Sequence, residues 1–234
     1  MMKTELTVKE KLQETSETIG ILLTIKQLML KVGTISSPRK MPCAGYSIPT
    51  KNCHVGSNLA KVVGSVCKGC YARKGNYMFP KIQECLEKRR DIMLNDPNWV
   101  NNMAELINRK EKSGYFRWFD SGDLQSLDNL KNIIAICNLT PKIKHWLPTK
   151  EYSIVSTYIN EGGIVPKNLV IRLSGYMINM DGPKALVTKL GINCSAVSNQ
   201  GKHTCFAYKN DNKCGDCRKC WNKNVLQVTY KKHG

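Results

Sequence analysis

The sequence predicts an α/β fold, either a partial (β/α) barrel or an open parallel sheet with cysteine-rich metal-binding loops. Short apolar runs alternate with helical patterns at a spacing of roughly 25 residues, which parallel strands need for their crossover connections. The chain has 234 residues, 41% of them hydrophobic, which is enough for one core. Most of its 11 cysteines lie outside the periodic stretches. The periodic stretches therefore predict the sheet, and the cysteine-rich stretches predict the loops.

The predicted strands and helices occupy the middle and the end of the chain. Strands are expected at residues 115–119, 145–147, 169–173, 192–197 and 225–230, with helices at 124–137 and 151–159 between the first three strands. Upstream, residues 79–96 have the pattern of an amphipathic helix, and Pro97 opens a second helix through about Lys112.

The chain is divided into two parts by its composition. Residues 1–40 form a polar leader followed by an apolar segment, in which Ile21, Ile25, Leu28 and Val32 share one helical face. Residues 41–234 are predicted to form a single α/β domain with a cysteine-rich C-terminal segment at 201–224. No apolar stretch reaches the roughly 20 residues of a membrane span, and no secretory signal precedes the domain. We therefore expect a cytoplasmic protein without a membrane partner.

The net charge favours an anionic partner. The formal charge is +18, which indicates nucleic acid or another polyanion. Residues 201–234 contain eight Lys or Arg residues against Asp211 and Asp216, and they include Phe206, Tyr208, Trp221 and Tyr230. The alternative is a solvated basic tail. Bound metal does not balance the charge, because two four-thiolate sites at about −2 each leave roughly +14.

Polar residues follow the predicted strands. Asp120, Lys150 and Ser174 come at the ends of three of them. Because the carboxyl ends of parallel strands meet at one edge of a sheet, these residues are candidates for binding a cofactor. The alternative is that the polar residues from Asp120 to Asp123 only cap the helix that follows. No catalytic residue is assigned.

The C-terminal cysteines have the spacing of a metal site. Cys205, Cys214, Cys217 and Cys220 form C-x8-C-x2-C-x2-C. Gaps of two residues let neighbouring thiolates surround one centre, and the triple run is similar to the spacing of bacterial ferredoxins. This spacing favours a 4Fe-4S cluster. Tetrahedral zinc is the first alternative, and cysteines without metal or in a disulfide are the second.

A second set of cysteines, Cys43, Cys53, Cys67 and Cys70, forms C-x9-C-x13-C-x2-C. We expect these four to make a second site, so that the protein binds one or two clusters. Two alternatives are a site shared with the C-terminal cysteines and a Cys43 that is merely buried.

The remaining cysteines and one histidine have weaker assignments. Cys85 and Cys137 lie on apolar helical faces and are expected in the core. Cys194 could replace a distal ligand, and His203 could serve as a ligand or a donor to one.

Four segments resemble a known family. They are MPCAGYSIPTKNC at 41–53, CKGCYARKGNY at 67–77, RWFDSGD at 117–123 and CGDCRKCW at 214–221. They resemble bacteriophage proteins labelled gene product 88, a label that implies no activity. If the gene is phage-encoded, the cytoplasm is that of the host cell.

A more distant likeness concerns the order of loops and strands. A cysteine-rich loop before strand and helix units looks like the partial barrel of radical S-adenosylmethionine enzymes. Their C-x3-C-x2-C loop, which leaves one iron open, is absent here. If each of our two sets of four cysteines is complete, no iron is open, and we expect no cleavage of that cofactor.

Three functions follow from these patterns. The leading one is a 4Fe-4S protein with a radical-enzyme-like fold that acts in electron transfer, with an electron-transfer partner, or as a cluster-dependent enzyme. The alternative is a nucleic-acid-binding protein with structural zinc or iron-sulfur sites. A third reading uses Asp120 and Lys150 as acid, base or phosphate-binding groups without redox chemistry.

Overall fold

Six parallel strands form one sheet in the computed structural model, which describes residues 22–232. Each strand pairs with the next one along the chain, in the order β1-β2-β3-β4-β5-β6. The strands are β1 (Ala44–Tyr46), β2 (Tyr115–Trp118), β3 (Lys144–Thr149), β4 (Leu169–Ile178), β5 (Asn193–Ser198) and β6 (Gln227–Lys231). The α/β fold with a parallel sheet is confirmed, and the open, sequential order is consistent with a partial barrel.

Seven α-helices connect or precede the strands of the described chain. They are α1 (Ile25–Lys31), α2 (His54–Leu59), α3 (Pro80–Asn95), α4 (Trp99–Lys110), α5 (Leu127–Leu139), α6 (Tyr152–Asn160) and α7 (Lys184–Leu190). Buried residues of six of these helices, α1 and α3 to α7, belong to one apolar cluster, so these helices share one face of the sheet.

Two short elements differ from the sequence-based expectations. Strand β1 lies in a stretch that was expected to be irregular, because three residues are too few to give a period. Helix α5 begins at Leu127, and its N-cap is Ser126, whose hydroxyl accepts from the Asn129 amide at 3.1 Å. The interpretation that residues 120–123 cap this helix is therefore wrong.

The main core lies between the sheet and its helices. It contains Phe116 and Trp118 of β2, Leu147 of β3 and the alternate residues Leu169, Ile171 and Leu173 of β4. Leu28 and Val32, from the predicted apolar segment, are part of this core. Ile21, the rest of the predicted leader and residues 233–234 lie outside the described residues. Among residues 22–232, none of the helices has the length and apolar composition of a membrane span.

The opposite side of the sheet, which we call the helix-free face, is covered by the chain between β5 and β6. A second apolar cluster lies there, made of Cys43, Trp146, Cys220, Trp221 and Val228. Trp146 alternates with Leu147 of the main core, which places Trp146 on the opposite face. The covering segment contains short 3-10 turns at Ala207–Lys209 and Lys219–Trp221. The helix-free face is therefore packed mainly by the C-terminal cysteine segment.

The pH dependence of stability should depend on His145. This residue is fully buried, its Nε2 lies 2.8 Å from the Thr140 hydroxyl, and its ring stacks on Trp118. Burial lowers the pKa of His145 from 6.5 to about 3. Between these values the unfolded chain binds the additional proton, so stability is lost as the pH falls. From about pH 7.5 to about pH 5.5 this loss is about 1.4 kcal/mol.

We expect His145→Phe to remove this part of the pH dependence in urea unfolding experiments at the two pH values. The variant keeps a ring against Trp118, and the Thr140 hydroxyl keeps the Ile136 carbonyl as its acceptor at 2.7 Å. A variant that loses as much stability in acid as the wild type would contradict this assignment.

Candidate metal centres

Three predicted ligands, Cys53, Cys67 and Cys70, lie together near the carboxyl ends of the strands; we call them the N-terminal trio. Cys53 directly precedes α2, and the Cys70 amide donates to the Cys67 carbonyl at 3.2 Å. A Cβ atom at Gly56 would lie 3.6 Å from Cys67 Sγ and 3.8 Å from Cys53 Sγ. The two sulfur atoms therefore face a common space, which a side chain at position 56 would partly fill.

The trio is attached to the ends of β3 and β4. Glu151, which is buried beyond β3, accepts from the Val55 amide at 3.0 Å. The Val66 amide donates to the Tyr176 carbonyl in β4 at 2.8 Å. These two hydrogen bonds hold the segments on either side of the trio against the sheet.

The thiols of Cys53 and Cys67 are protonated in the absence of metal. Burial raises the pKa of Cys53 to about 12, the charge of Asp123 raises it further, and Lys150 lowers it. Burial also raises the pKa of Cys67, and Lys150 opposes that shift. Metal ligation requires thiolates, so binding would release these protons.

The predicted cofactor-binding residues occupy two different places. The Asp120 carboxylate accepts from the Tyr77 hydroxyl at 2.8 Å, and Lys150 follows β3 near the trio. Both are therefore at the carboxyl edge of the sheet. Ser174 instead lies within β4, where its hydroxyl is 3.3 Å from that of Ser195 on the neighbouring strand. That any of the three binds a cofactor stays a prediction.

Asp123 links the ends of β2 and β3. Its buried carboxylate accepts from the Thr149 hydroxyl at 2.6 Å, from the Lys150 amide at 2.8 Å and from the Leu124 amide at 2.8 Å. Burial raises the pKa of Asp123 to about 6, and these hydrogen bonds oppose the shift. The residue therefore fixes the strand ends under the trio.

The four C-terminal cysteines Cys205, Cys214, Cys217 and Cys220, which we call the C-terminal group, lie on the helix-free face. The Cys205 amide donates to the Thr229 carbonyl of β6 at 3.1 Å. Burial raises the pKa of Cys214 and of Cys220, and the nearby Cys205 adds to both rises, although the Tyr230 hydroxyl and Arg172 oppose the rise for Cys220. Cys217 is exposed, and its charge also acts on Cys214. Cys205 is thus electrostatically coupled to two other members of the group.

Cys43 lies with the C-terminal group, contrary to the expected set of four N-terminal cysteines. It shares the apolar cluster of Cys220 and Trp146. Burial raises the pKa of Cys43 to about 12; the nearby Glu111 and Cys214 add to this rise, and Arg117 and Arg218 oppose it. The physical reason is its position: Cys43 precedes β1 at the amino edge of the sheet, whereas the trio lies at the carboxyl edge.

Arg172 fastens the C-terminal group to the sheet. Its guanidinium is fully buried and donates to six backbone carbonyls at 2.8–3.4 Å. The acceptors are the carbonyls of Cys194, Lys219, Cys220, Asn222, Val225 and Leu226. No ion pair of Arg172 occurs among the described residues. Burial lowers the pKa of Arg172, and the groups that oppose this shift are Tyr230, Cys220 and Cys194.

Arg117 lies between the two sets of cysteines. Its guanidinium carbon is 4.6 Å from the centroid of the Trp146 ring, and its Nη1 is 3.7 Å from the Met41 sulfur. Its Nε is buried and has no hydrogen-bond partner within residues 22–232. Burial raises the pKa of Tyr71, next to Cys70, and that of Cys43, and the charge of Arg117 opposes both rises. Arg117 therefore influences the surroundings of both sets.

Tyr230 contacts a predicted ligand directly. Its hydroxyl lies 3.2 Å from Cys220 Sγ, and burial raises the Cys220 pKa to about 12. A hydroxyl donor of this kind stabilises a ligating thiolate, because hydrogen bonds to cluster sulfurs tune the site.

The remaining cysteines lie outside both sets. Cys137 and Cys194 are buried in the main core, and Cys85 lies 3.6 Å from the Thr34 hydroxyl. The His203 ring contacts the Ser198 carbonyl at 3.0 Å. Within the described part of the chain, no three Cys, His, Asp or Glu side chains are arranged to hold a metal ion.

The sequence matches a family model called gene product 88 over residues 6–233. The chain belongs to the gene product 88 family. The matched region contains both sets of cysteines, so they are part of what the family model covers. No curated protein and no solved structure matches the chain. The gene product 88 resemblance is therefore confirmed, whereas the likeness to radical enzymes stays a prediction.

Neither Arg172 nor Arg117 of this gene product 88 protein was among the predicted site residues. Arg172 is the single charged residue in the buried run LVIRLS of β4. A strand of a parallel sheet that is buried on both faces normally reads as a continuous apolar run. A lone arginine in such a run indicates that buried hydrogen-bond acceptors surround its guanidinium. The role of Arg172 could therefore have been predicted from the sequence.

Loss of Arg172 should detach the C-terminal segment. We expect Arg172→Met to lower the free energy of unfolding by about 3 kcal/mol or more, because it leaves several buried carbonyls unpaired. Urea unfolding gives the magnitude, and limited proteolysis should cut residues 199–226 faster. Arg90→Met is the control: Arg90 donates to one side chain, Gln125, at 3.1 Å. An equal cost for both variants would contradict the role of Arg172.

Proposed function

We propose that this protein binds 4Fe-4S clusters at two sites and acts in electron transfer or as a cluster-dependent enzyme. The N-terminal trio, Cys53, Cys67 and Cys70, supplies one site. The second uses the C-terminal group, with Cys43 as an additional thiol beside it. An electron-transfer partner is part of the proposal.

The observation that carries the proposal is the buried charge of Arg172. An isolated charge in the protein interior is costly unless an opposite charge accompanies it. The groups that favour the charged guanidinium are Tyr230, Cys220 and Cys194, and each of these is neutral while it keeps its proton. Ligation converts Cys220 to a thiolate, and a four-thiolate 4Fe-4S site carries about −2 in total. A cluster on the helix-free face therefore supplies the missing negative charge.

The polar contacts around the C-terminal group suit an iron-sulfur site. The Tyr230 hydroxyl is in contact with Cys220 Sγ, and Arg172 holds the Cys220 carbonyl at 3.0 Å. The surrounding Trp146, Trp221 and Val228 exclude water, which tunes cluster potentials. Because metal binding is coupled to folding, the proposal includes a local rearrangement that brings the sulfurs to their final positions.

The grouping of the cysteines changes the expectation for the N-terminal site. With Cys43 on the other side of β1, the trio provides three thiolates, and a cube of four irons has one iron without a cysteine. Lys150 and Asp120 lie at the same edge and are candidates to bind a small anionic or polar ligand there. An N-terminal cluster held by three thiolates would therefore keep one iron open to S-adenosylmethionine, unlike the closed site that the sequence predicts.

Cysteine variants test the two sites separately. In anaerobically purified protein we expect iron and sulfide in stoichiometric amounts and absorbance near about 400 nm. Cys217→Ala and Cys220→Ala should each lose or convert the C-terminal cluster and lower the melting temperature, and Cys67→Ala should affect only the N-terminal one. Cys217→Ala is the more decisive variant. Cys217 is exposed, so without a bound metal its truncation would lower the free energy of unfolding by less than about 0.5 kcal/mol.

Cys85→Ala is the matched control, since Cys85 is partly buried and lies outside both sets. It should leave iron content and electron paramagnetic resonance spectra unchanged. Colourless protein without iron, or an unchanged iron content in Cys67→Ala and Cys217→Ala, would overturn the proposal. Stoichiometric zinc instead of iron would favour structural zinc sites.

The three-thiolate site has its own signature. Mild oxidation should release the iron that lacks a cysteine and leave a three-iron cluster, which electron paramagnetic resonance detects. We expect this conversion in the wild type and in Cys43→Ala, but not in Cys67→Ala. If Cys43→Ala changes the N-terminal cluster as much as Cys67→Ala does, then Cys43 is a ligand of that site and the split grouping is wrong.

A further inference from the structure

The outer surface of the C-terminal segment combines an exposed phenylalanine ring and a partly buried tyrosine ring with lysines. We call Phe206, Tyr208, Lys209, Lys219 and Lys231 the aromatic-basic patch. The Nζ atoms of Lys209 and Lys219 lie 5.6 Å and 5.4 Å from the centroid of the Phe206 ring. The Nζ of Lys231 lies 4.8 Å from the centroid of the Tyr208 ring. Two rings and three ammonium groups thus form one continuous surface.

This surface has features that a solvated tail does not need. Phe206 is 52% exposed although it follows Cys205, which packs against the apolar cluster. Lys209, Lys219 and Lys231 form no ion pair among the described residues. Their charges are part of a net charge of +18, so the local field favours anions.

We propose that the aromatic-basic patch binds single-stranded nucleic acid. Phosphates would contact the lysine ammonium groups, and a base would stack on Phe206, which is how proteins bind single strands without reading their sequence. A duplex is a poorer fit, because reading its major groove takes a helix or a two-stranded ribbon. The patch rests mainly on the turns Ala207–Lys209 and Lys219–Trp221. This inference goes beyond the proposed function and holds for either metal.

Fluorescence anisotropy with a labelled oligodeoxythymidine of about 20 nucleotides tests the inference on the full-length, metal-loaded protein. We expect binding at low salt that weakens steeply as salt is added. Phe206→Ala keeps the charge and removes the stacking ring, so we expect the dissociation constant to rise at least about fivefold. Phe79→Ala is the control, because Phe79 is exposed to a similar extent, 57%, at a different place.

A charge-matched pair of double variants separates the patch from the overall charge. Lys209→Gln with Lys231→Gln should reduce the slope of log K against log salt by about 1.4, since each lost phosphate contact lowers it by about 0.7 for single strands. Lys131→Gln with Lys189→Gln removes the same charge from exposed positions on α5 and α7. It should leave the slope nearly unchanged.

The readouts distinguish this proposal from its rivals and from the metal proposal. Iron content is measured for each variant; if Phe206→Ala loses iron, Tyr208→Ala serves as the second ring variant. No binding at low salt would overturn the inference. The inference would also be overturned if both lysine double variants changed the salt slope equally and neither ring variant changed the dissociation constant. That result would indicate diffuse attraction of any polyanion. Binding to anionic lipid vesicles without binding to the oligonucleotide would likewise overturn the inference.

Discussion

The buried guanidinium of Arg172 is the constraint on which the arrangement of this protein depends. It stands in the middle of an otherwise apolar parallel strand and donates to carbonyls on three segments of chain. These bonds hold the cysteine segment on the helix-free face. They do not neutralise the charge, because carbonyl groups are dipoles. The need for a nearby anion is what connects the packing of the sheet with the proposed chemistry of its cysteines.

The sheet separates its cysteines into two groups. Strand β1 is only three residues long, yet it places Cys43 at one edge of the sheet and leads the chain to Cys53 at the other. Gly45 permits this close pairing, because a Cβ there would lie 2.8 Å from the Arg117 carbonyl oxygen. Two cluster sites on one sheet, with Arg117 between them and Trp146 packed beside the C-terminal one, would suit the passage of electrons from one site to the other. The aromatic-basic patch lies mainly on the same segment as the C-terminal group, so a nucleic acid bound there would lie close to that cluster.

The sequence allowed the strands and the long helices to be predicted because their periods are clear. The runs that became β2 to β6 and the helices α3 to α6 lie within a few residues of their expected places. The ends of β2 and β3 were also expected to meet, which the bonds of Asp123 confirm. These features depend on local patterns and on general rules for parallel sheets.

The features that were missed depend on contacts distant in sequence. Cys43 is ten residues from Cys53, and spacing alone suggested a common site; the direction of β1, which no period revealed, separates them. Ser126, not residues 120–123, caps helix α5. The Asp123 carboxylate instead accepts hydrogen bonds from Thr149 and Lys150 at the end of β3. Arg172 was read as part of an apolar run, since its six acceptors lie 22–54 residues away. Burial of a charge can be seen only when the segments that surround it are in place.

Anomalous diffraction at the iron edge, from crystals grown and kept without oxygen, would locate the proposed clusters. Two iron peaks are expected: one bounded by Cys53, Cys67 and Cys70, and one on the helix-free face beside Arg172, in contact with cysteines of the C-terminal group. A folded protein with no iron peak would contradict the proposal. So would a single peak that joins Cys43 to the N-terminal trio, because the separation of the two sites by β1 would then be wrong.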